Sequence, residues 1–476
     1  MRTSVTLRKL SLSASCAALL SLSSGVMAQD ATPMPMDAMP VAAAAAPAPV
    51  SPTTNPRQMD LRTAVAIGIS TNPETGVVQN NRRATDEELR QAQGLYRPSI
   101  DFRADTGYEY SDDAGTRAGT GDDTESMWRK EAGLTLTQML FDGFETKFEN
   151  ERQEARVLSA SRRVGESAEL TGLAIVEAYL DVMRQREQLK IARENVAAHI
   201  TLLDQITDSA QAGRTTDADV QQGNARLASA RALEANVREA LRVAEASFIR
   251  EVGDPAQDLV MPMVPVSALS QDVEREVKMA LHQSPTIGIY EADIEVAHAE
   301  FQGSKSTMYP QVDLQLNART GHDLGGVDGR DTSASALAVM NWNLDRGGVD
   351  TARVREHISR EAQAKEARAD AARQVENNVR TTWASMVSAG ERARQFSSQV
   401  AANTEVVRSY KDQFDLNRRT LLDVLDSQNE LFVSRSNLVN AEFLEMFAVY
   451  RLLALKGDLL KNLNIAAPRE SDPVKM

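Results

Sequence analysis

The amino-acid sequence predicts an α+β membrane protein in which each chain supplies four β-strands to a 12-stranded β-barrel closed by three copies. Three observations lead to this fold class. The chain carries an internal two-fold repeat, each repeat holds a β-hairpin with one apolar and one charged face, and a very long helix follows each hairpin. A repeat of this size places the two halves at equivalent positions in one symmetric object.

The spacing of matching residues defines the repeat. Pro73 and Pro285 precede the two hairpins and are 285 − 73 = 212 residues apart. Asp219 and Asp423 follow the long helices and are 423 − 219 = 204 residues apart. The halves therefore differ by 212 − 204 = 8 residues in the hairpin region. The two long helices are predicted to have equal lengths.

The termini are predicted to lie outside the folded repeats. Basic residues precede an apolar stretch and a small-residue site, so residues 1–28 are predicted to be a cleaved signal peptide. Residues 29–58 are rich in Pro, Ala and Met and predict a disordered linker, whereas residues 466–476 form a tail. Cys16 is the only cysteine, so the mature chain can form no disulfide.

Repeat 1 spans residues 59–255. Within it we expect short helices, a hairpin at about 98–141, a long helix at about 145–212 and a returning helix at about 216–252. In the first strand, even-numbered positions from Ile100 to Tyr110 are mostly apolar and the odd-numbered positions are mostly charged. This period of two is typical of a strand with one apolar face.

Repeat 2 spans residues 268–465 and is predicted to copy this order. Its hairpin lies at about 310–344, with a loop at 321–331. A long helix at about 349–417 and a returning helix at about 420–461 follow. At about 1.5 Å per residue, each long helix extends on the order of 100 Å.

The hairpins favour a transmembrane barrel over an ordinary sheet with one solvated face. Strands of about 10 residues, apolar outward and polar inward with aromatic residues at their ends, are typical of such barrels. Four strands cannot close a barrel, because the smallest have about eight. Two copies would supply 8 strands and three copies 12. Asp101, Arg103 and Glu109 need a water-filled interior, which favours three copies.

The order of helix, hairpin, long helix, turn and helix, repeated once, resembles the TolC family of outer-membrane efflux and secretion channels. The resemblance covers about residues 59–463 and is carried by matching phrases in both repeats. These phrases are Leu140-Phe141-Asp142-Gly143 with Leu344-Asp345-Arg346-Gly347-Gly348, Tyr96-Arg97-Pro98 with Tyr309-Pro310, and residues 212–220 with 418–426.

The resemblance implies a homotrimer located in the outer membrane and spanning into the periplasm. Its barrel would contact outer-membrane lipid, and a long α-helical barrel would cross the periplasm. It also implies a periplasmic adaptor protein and an inner-membrane ABC or proton-driven transporter as partners. The net charge of −14 argues against a nucleic-acid partner, which needs a basic surface.

The resemblance further implies a periplasmic gate that is closed at rest. Asp423 and Asp426 are similar to the carboxylates of that gate. Their i,i+3 spacing puts both on one side of a helix, so three copies would place six carboxylates around the axis and favour cations. A solvated helix face is the alternative interpretation of this pair.

Residues around the gate also resemble family positions. Arg419 is similar to an arginine that holds neighbouring protomers together, and Asp219 is similar to its acidic partner. Phe414 stands where other members have tyrosine, and phenylalanine cannot donate a hydrogen bond. Adaptor contacts are expected at the turns that end the long helices, for which helix capping is the alternative role. These turn residues are Gly213, Arg214, Asn417 and Arg418.

The function expected from the resemblance is a passive exit channel for type I protein secretion, small-molecule efflux or both. Residues 178–187 and 194–199 are more similar to secretion members. A channel for small molecules only is one alternative, and a soluble periplasmic coiled-coil scaffold is a more distant one. We expect no enzyme activity, cofactor or metal, because the five histidines are scattered and no phosphate-binding or nucleophile motif occurs.

Overall fold

A computed structural model describes residues 58–112, 125–416 and 418–473 of the chain. The predicted signal peptide and all of the predicted linker except Gln58 lie outside the described residues. So do Asn417 and the last three residues of the predicted tail.

The two repeats share the order of two helices, two strands, a long helix and a returning helix, and repeat 2 ends with one additional short helix. Repeat 1 comprises β1 (Gln58–Met59), α1 (Leu61–Thr71), α2 (Pro73–Gly94), β2 (Ser99–Ser111), β3 (Glu125–Phe141), α3 (Glu145–Gln211) and α4 (Asp217–Val252). The short strand β4 (Asp258–Leu259) follows the end of repeat 1. Repeat 2 comprises α5 (Val273–Gln283), α6 (Pro285–Gly303), β5 (Gln311–Leu324), β6 (Val327–Asn341), α7 (Val349–Asp415), α8 (Leu421–Lys456) and α9 (Leu459–Asn462).

The corresponding helices of the two repeats have equal lengths. Helices α3 and α7 each have 67 residues, and helices α4 and α8 each have 36 residues. A helix of 67 residues extends about 100 Å at about 1.5 Å per residue. Among the described residues, no helix combines the length and the apolarity needed to cross a membrane.

The two hairpins join into one antiparallel sheet with the strand order β2-β3-β5-β6. Cross-strand partners lie on the same face of an antiparallel sheet, so the register brings the apolar positions together. Phe102 pairs with Leu134, which pairs with Ala318. Phe102 and Tyr108 are 73% and 71% exposed, so no element among the described residues covers this part of the apolar face of the sheet.

The opposite face of the sheet carries a network of ion pairs. Arg129 Nη2 lies 3.1 Å from Asp105 Oδ1 and also contacts the Glu131 carboxylate. Arg319 lies 3.5 Å from Glu131 and 2.7 Å from Asp331. All three inner strand boundaries are therefore crossed by charge-assisted contacts on this face.

The turn of the second hairpin differs from the predicted loop at 321–331. Strands β5 and β6 extend to Leu324 and Val327, so the connection is only the Gly325-Gly326 pair. Both glycines have positive φ, at 59° and 73°. A two-residue turn of this type needs residues that tolerate positive φ and matches the twist of the strands. The Asp and Gly residues around the turn concealed the strand pattern in the sequence.

The C-terminal part of repeat 2 also differs from the prediction. The returning helix predicted at 420–461 is interrupted at Gly457, whose φ of 75° ends α8 in a left-handed cap. The short helix α9 then begins at Leu459. Part of the predicted tail is packed, because Glu470 forms an ion pair with Arg83 of α2 at 2.6 Å.

The main apolar core lies where α1, α3, α4 and α8 meet. Tyr179 of α3 is fully buried there, and burial raises its pKa to about 12. Its hydroxyl lies 2.9 Å from Met59 O and accepts a hydrogen bond from Val260 N at 2.8 Å. Tyr179 therefore connects the long helix to the parallel β1–β4 pair that joins the start of repeat 1 to its end.

A second buried polar group, Glu169 of α3, holds the start of α9. Its carboxylate accepts hydrogen bonds from Leu459 N at 3.0 Å and Leu460 N at 3.4 Å. Burial raises the pKa of Glu169 to about 7, and the two backbone donors only partly offset that cost. The folded protein therefore carries a carboxyl group that changes its charge near neutral pH.

We predict that Glu169 makes stability fall as the pH rises. Its folded pKa of about 7 lies above the ordinary value of about 4.3, so its favourable contribution is complete below about pH 4 and is lost by about pH 7. The effect is on the order of 3 kcal/mol. Thermal unfolding from pH 4 to pH 8 should show a smaller decline in Glu169→Gln than in the wild type. Parallel curves would contradict this assignment.

Two glycines with the same backbone angle give a matched test of packing at the strand-to-helix junction. Gly143 and Gly213 both have φ of 69°. A Cβ at Gly143 would lie 2.6 Å from Ser306 O, whereas a Cβ at Gly213 meets nothing within 4 Å. Gly213→Ala should therefore cost only the strain of the left-handed conformation, about 1–2 kcal/mol.

Gly143→Ala should lower the Tm clearly more than Gly213→Ala, because it adds a backbone collision to the same strain. Thermal unfolding of the two purified variants, followed by circular dichroism, measures the difference. Equal Tm values would show that the junction around Gly143 accommodates the added Cβ without losing stability.

Candidate functional site

The candidate site is the tip of the helical region, where α3 turns into α4 and α7 turns into α8. A small apolar cluster holds these four helix ends together. Its buried members are Leu202, Ile206, Leu421, Val424 and Leu425. Phe414, Tyr410 and Val220 pack against its edge. The cluster fixes the positions of the polar residues around it.

Both long helices end in the same hydrogen-bonded cap. Gly213 N donates to Ala210 O at 2.9 Å and Arg214 N donates to Ser209 O at 2.9 Å, which is a Schellman motif. In repeat 2, Arg418 N donates to Gln413 O at 2.8 Å in the equivalent position. Gly213, Arg214 and Arg418 are therefore capping residues that are also exposed at the tip. Asn417 lies outside the described residues.

Both returning helices begin with the same capping box. In α4, Asp219 Oδ2 accepts hydrogen bonds from Thr216 N at 2.9 Å and Thr216 Oγ1 at 2.8 Å. In α8, Asp423 Oδ2 accepts the same bonds from Thr420 at 3.2 Å and 2.7 Å. Such a box satisfies backbone donors that a helix start leaves free.

The caps lower the pKa of both aspartates. The pKa of Asp219 falls because the Thr216 backbone and hydroxyl groups donate to it. The pKa of Asp423 falls because of the Thr420 hydroxyl, the Thr420 backbone and the positive charge of Arg419. Both carboxylates therefore stay charged at neutral pH while serving as helix caps.

Asp426 has a partner that the sequence did not reveal. Its Oδ1 lies 3.0 Å from Nη2 of Arg226, which projects from α4. The contact joins the returning helices of the two repeats at an exposed position. Arg226 also lies near His199, whose pKa is lowered by burial and by the Arg226 charge. In the sequence, the only indication of a role for Arg226 was its position seven residues after Asp219. Two helical turns place both residues on a similar face of α4.

Arg419 is held within its own chain by three neighbours. Its guanidinium carbon lies 3.9 Å from the centre of the Tyr410 ring. Its Nε donates to Gln413 Oε1 at 3.2 Å, and Nη1 lies 3.7 Å from Asp423 Oδ1. Stacking of this kind favours Arg over Lys, because the guanidinium is planar and weakly hydrated.

The structure thus brings together some of the predicted site residues and separates others. Arg419 meets Asp423, whereas Asp219 is engaged by its own capping box. Phe414 packs in the apolar cluster, and the aromatic ring over Arg419 belongs to Tyr410, one helical turn earlier. The family resemblance pointed to Phe414 and carried no signal for Tyr410.

The described residues contain no group of three or more His, Cys, Asp or Glu side chains that could hold a metal ion. The polar side chains at the tip interact with their neighbours through ion pairs and hydrogen bonds. The exposed carboxylates and guanidinium groups are anchored by helix caps and by one aromatic ring. They can attract or repel ions, and they can form ion pairs with other chains.

A two-faced sheet whose apolar side is uncovered, continued by long paired helices with capped turns, defines a channel-forming protein of the outer membrane. A sequence model of the family described as "Outer membrane efflux protein" matches residues 69–253 and 277–457. These two stretches correspond to the two repeats. The chain belongs to the outer membrane efflux protein family.

Individual relatives agree with this membership. The chain is 27% identical over 383 residues to the outer membrane efflux protein BepC of Brucella suis, covering 79% of this chain and 80% of BepC. It is 23% identical over 337 residues to the alkaline protease secretion protein AprF of Pseudomonas aeruginosa, covering 68% and 69%. The crystal structure of VceC from Vibrio cholerae has a TM-score of 0.71 at 14% identity and covers 83% of this chain and 96% of VceC.

The family membership confirms the predicted resemblance, the α+β channel fold and the location in the outer membrane with an extension into the periplasm. The family consists of channels, which confirms that the chain is not an enzyme. The soluble scaffold considered as an alternative is wrong for the same reason.

We predict that the Tyr410 ring keeps Arg419 in place. Tyr410→Leu should free the Arg419 guanidinium from the ring and weaken its contact with Asp423. Tyr410→Phe should behave like the wild type because it keeps the ring face. Under the gate role that the resemblance implies for this tip, single-channel recordings in planar bilayers should show more frequent openings only for the leucine variant. Equal opening frequencies in both variants would exclude a role for the ring.

Proposed function

We propose that the chain is the exit channel of a tripartite export system and works as a homotrimer. Its partners are a periplasmic adaptor protein and an inner-membrane ABC or proton-driven transporter, and its barrel is surrounded by outer-membrane lipid. The observation that carries the proposal is the four-stranded sheet, which has an apolar and an ionic face and continues into helices of 67 residues.

The homotrimer follows from the number of strands and from the charges on the inner face. The bilayer interior offers no hydrogen-bond partners to the backbone groups at the sheet edges. The sheet therefore has to pair its edges with those of other copies. Three copies give 12 strands, wide enough for water around Arg129, Arg319 and their acidic partners. Two copies would give 8 strands, whose interior is narrow enough for side chains to fill.

The cargo class is proposed to be protein, with small molecules as a second candidate. AprF is named for protease secretion, which supports protein cargo, and residues 178–187 and 194–199 point the same way. BepC is named as an efflux protein, which supports small molecules. Deletion of the gene decides between them: loss of one secreted protein with unchanged drug susceptibility supports secretion, and increased drug susceptibility alone supports efflux.

We propose that the helical tip is the periplasmic gate. Asp423 and Asp426 of three copies would form its carboxylate rings. Arg419, Asp219 and Phe414 would lie at the contacts between neighbouring protomers. The exposed turns would contact the adaptor, through Gly213, Arg214, Asn417 and Arg418.

The intrachain partners of the two aspartates determine how the gate is tested. Replacement of Asp423 by Ala would also remove a helix cap, whereas Asn keeps an oxygen that accepts the Thr420 hydrogen bonds. Asp426 is neutralised in part by Arg226. Loss of Arg226 should therefore act in the opposite direction to loss of Asp426.

We predict opposite shifts in the blockage of the channel by a trivalent cation in planar bilayers. The Asp423→Asn/Asp426→Asn variant should need about tenfold more cation for half-blockage, because its rings lose their negative charge. Arg226→Gln should need less cation than the wild type. Asp217→Asn, at an exposed carboxylate in the first turn of α4, is the control and should match the wild type. An unchanged blockage in the double variant would remove these aspartates from the gate.

A further inference from the structure

The outer face of the sheet carries one row of basic residues. Lys130 of β3 pairs with His322 of β5, and His322 pairs with Arg330 of β6. Thr106 of β2 completes the row beside Lys130. Because directly paired residues share a face, all four side chains lie on the face that also carries Phe102 and its apolar neighbours.

This row is exceptional on its face. Every other paired residue of the apolar face in the described strands is uncharged. On the ionic face, Arg129 and Arg319 are matched by carboxylates. Lys130 and Arg330 have no ion-pair partner within the part of the chain that the structure describes. His322 Nδ1 lies 2.7 Å from Asp323 Oδ1, so His322 already has a carboxylate neighbour.

The row lies at the far border of the apolar band. The pair Val312 and Met340 lies near the helical end of the sheet, ten residues along the strands from His322 and Arg330. Ten residues extend about 33 Å, which corresponds to a height of about 25 Å at a strand tilt of about 40°. This height equals that of the apolar band of outer-membrane barrels. The aromatic pair Tyr108 and Trp128 follows immediately beyond the row.

We propose that the basic row binds the phosphate groups of the glycolipid that forms the outer leaflet of the outer membrane. This inference rests on the proposed barrel, which makes the apolar face contact lipid. Lys130 and Arg330 then stand at the level where acyl chains end and headgroup phosphates begin. Their unmatched positive charges complement those phosphates, while the acyl chains lie along Phe102, Leu134 and neighbouring residues.

The residue types suit a phosphate ligand attached to an apolar body. Arg330 can donate two parallel hydrogen bonds to a phosphate, and Lys130 adds a compact positive charge. A free anion would gain nothing from the apolar band below the row. If Lys130 and Arg330 only extended their charged groups into interfacial water, the protein would show no preference for a phosphorylated lipid.

Native mass spectrometry of the detergent-purified assembly tests the proposal with two lipids. One is hexa-acylated lipid A with two phosphates, and the other is the same lipid without phosphates. The wild type should prefer the phosphorylated form. Near a membrane surface each cation contributes about 1 kcal/mol, which is about fivefold in affinity, so Lys130→Gln/Arg330→Gln should bind it about 25-fold more weakly. Arg103→Gln, on the ionic face, removes a cation whose ion pair lies within its own strand; it is the control and should match the wild type.

Equal binding of the two lipids, or unchanged binding in Lys130→Gln/Arg330→Gln, would overturn the proposal. Full displacement of lipid A by inorganic phosphate would also overturn it, because the site would then recognise free anions. If the double variant does not assemble, the single variants are compared, with about fivefold weakening expected for each. Planar-bilayer conductance distinguishes failure of the proposed channel from failure of the proposed lipid site. Absence of conductance in the wild type would contradict the channel, whereas normal conductance with unselective lipid binding would contradict only the lipid site.

Discussion

The whole architecture depends on the edges of one four-stranded sheet. Within residues 58–112, 125–416 and 418–473, no strand pairs with the outer sides of β2 and β6, and hydrocarbon offers their backbone groups no hydrogen-bond partner. The sheet is also apolar on one face and ionic on the other, so it cannot fold back on a core of its own. Association with other copies, as proposed, would satisfy both requirements at once. The helical part of each chain would then arrange itself around the pore that this closure creates.

Much of the fold could be predicted from the sequence because its signals are periodic and repeated. Alternation in β2 and the equal spacing of the repeats located the hairpins and the long helices to within a few residues. The errors arose where a single backbone angle decides the outcome. The Gly325-Gly326 turn shortened a predicted loop, and Gly457 interrupted a helix whose side-chain pattern continued beyond it.

The tip was less predictable, because its residues act through partners that are distant in sequence. Asp423 was predicted as a gate carboxylate or as part of a solvated helix face, and its capping of Thr420 was missed although the two residues are only three positions apart. The pairing of Asp426 with Arg226 spans 200 positions. The ring over Arg419 belongs to Tyr410, a residue with no counterpart in the repeated phrases. In this region one carboxylate both caps a helix and faces the proposed passage. Changes there therefore affect local folding and ion passage together.

The equal lengths of the paired helices have a consequence for any docking partner. Two helical hairpins per chain that end at the same depth would give a trimer six tips in one plane, alternating between two kinds. The long helix of one kind ends at Ala212 and that of the other at Leu416, so the plane would have approximate sixfold but true threefold symmetry. A ring of six identical subunits bound to this plane would meet two non-equivalent binding sites in alternation. Three of its subunits would therefore bind with a different affinity from the other three.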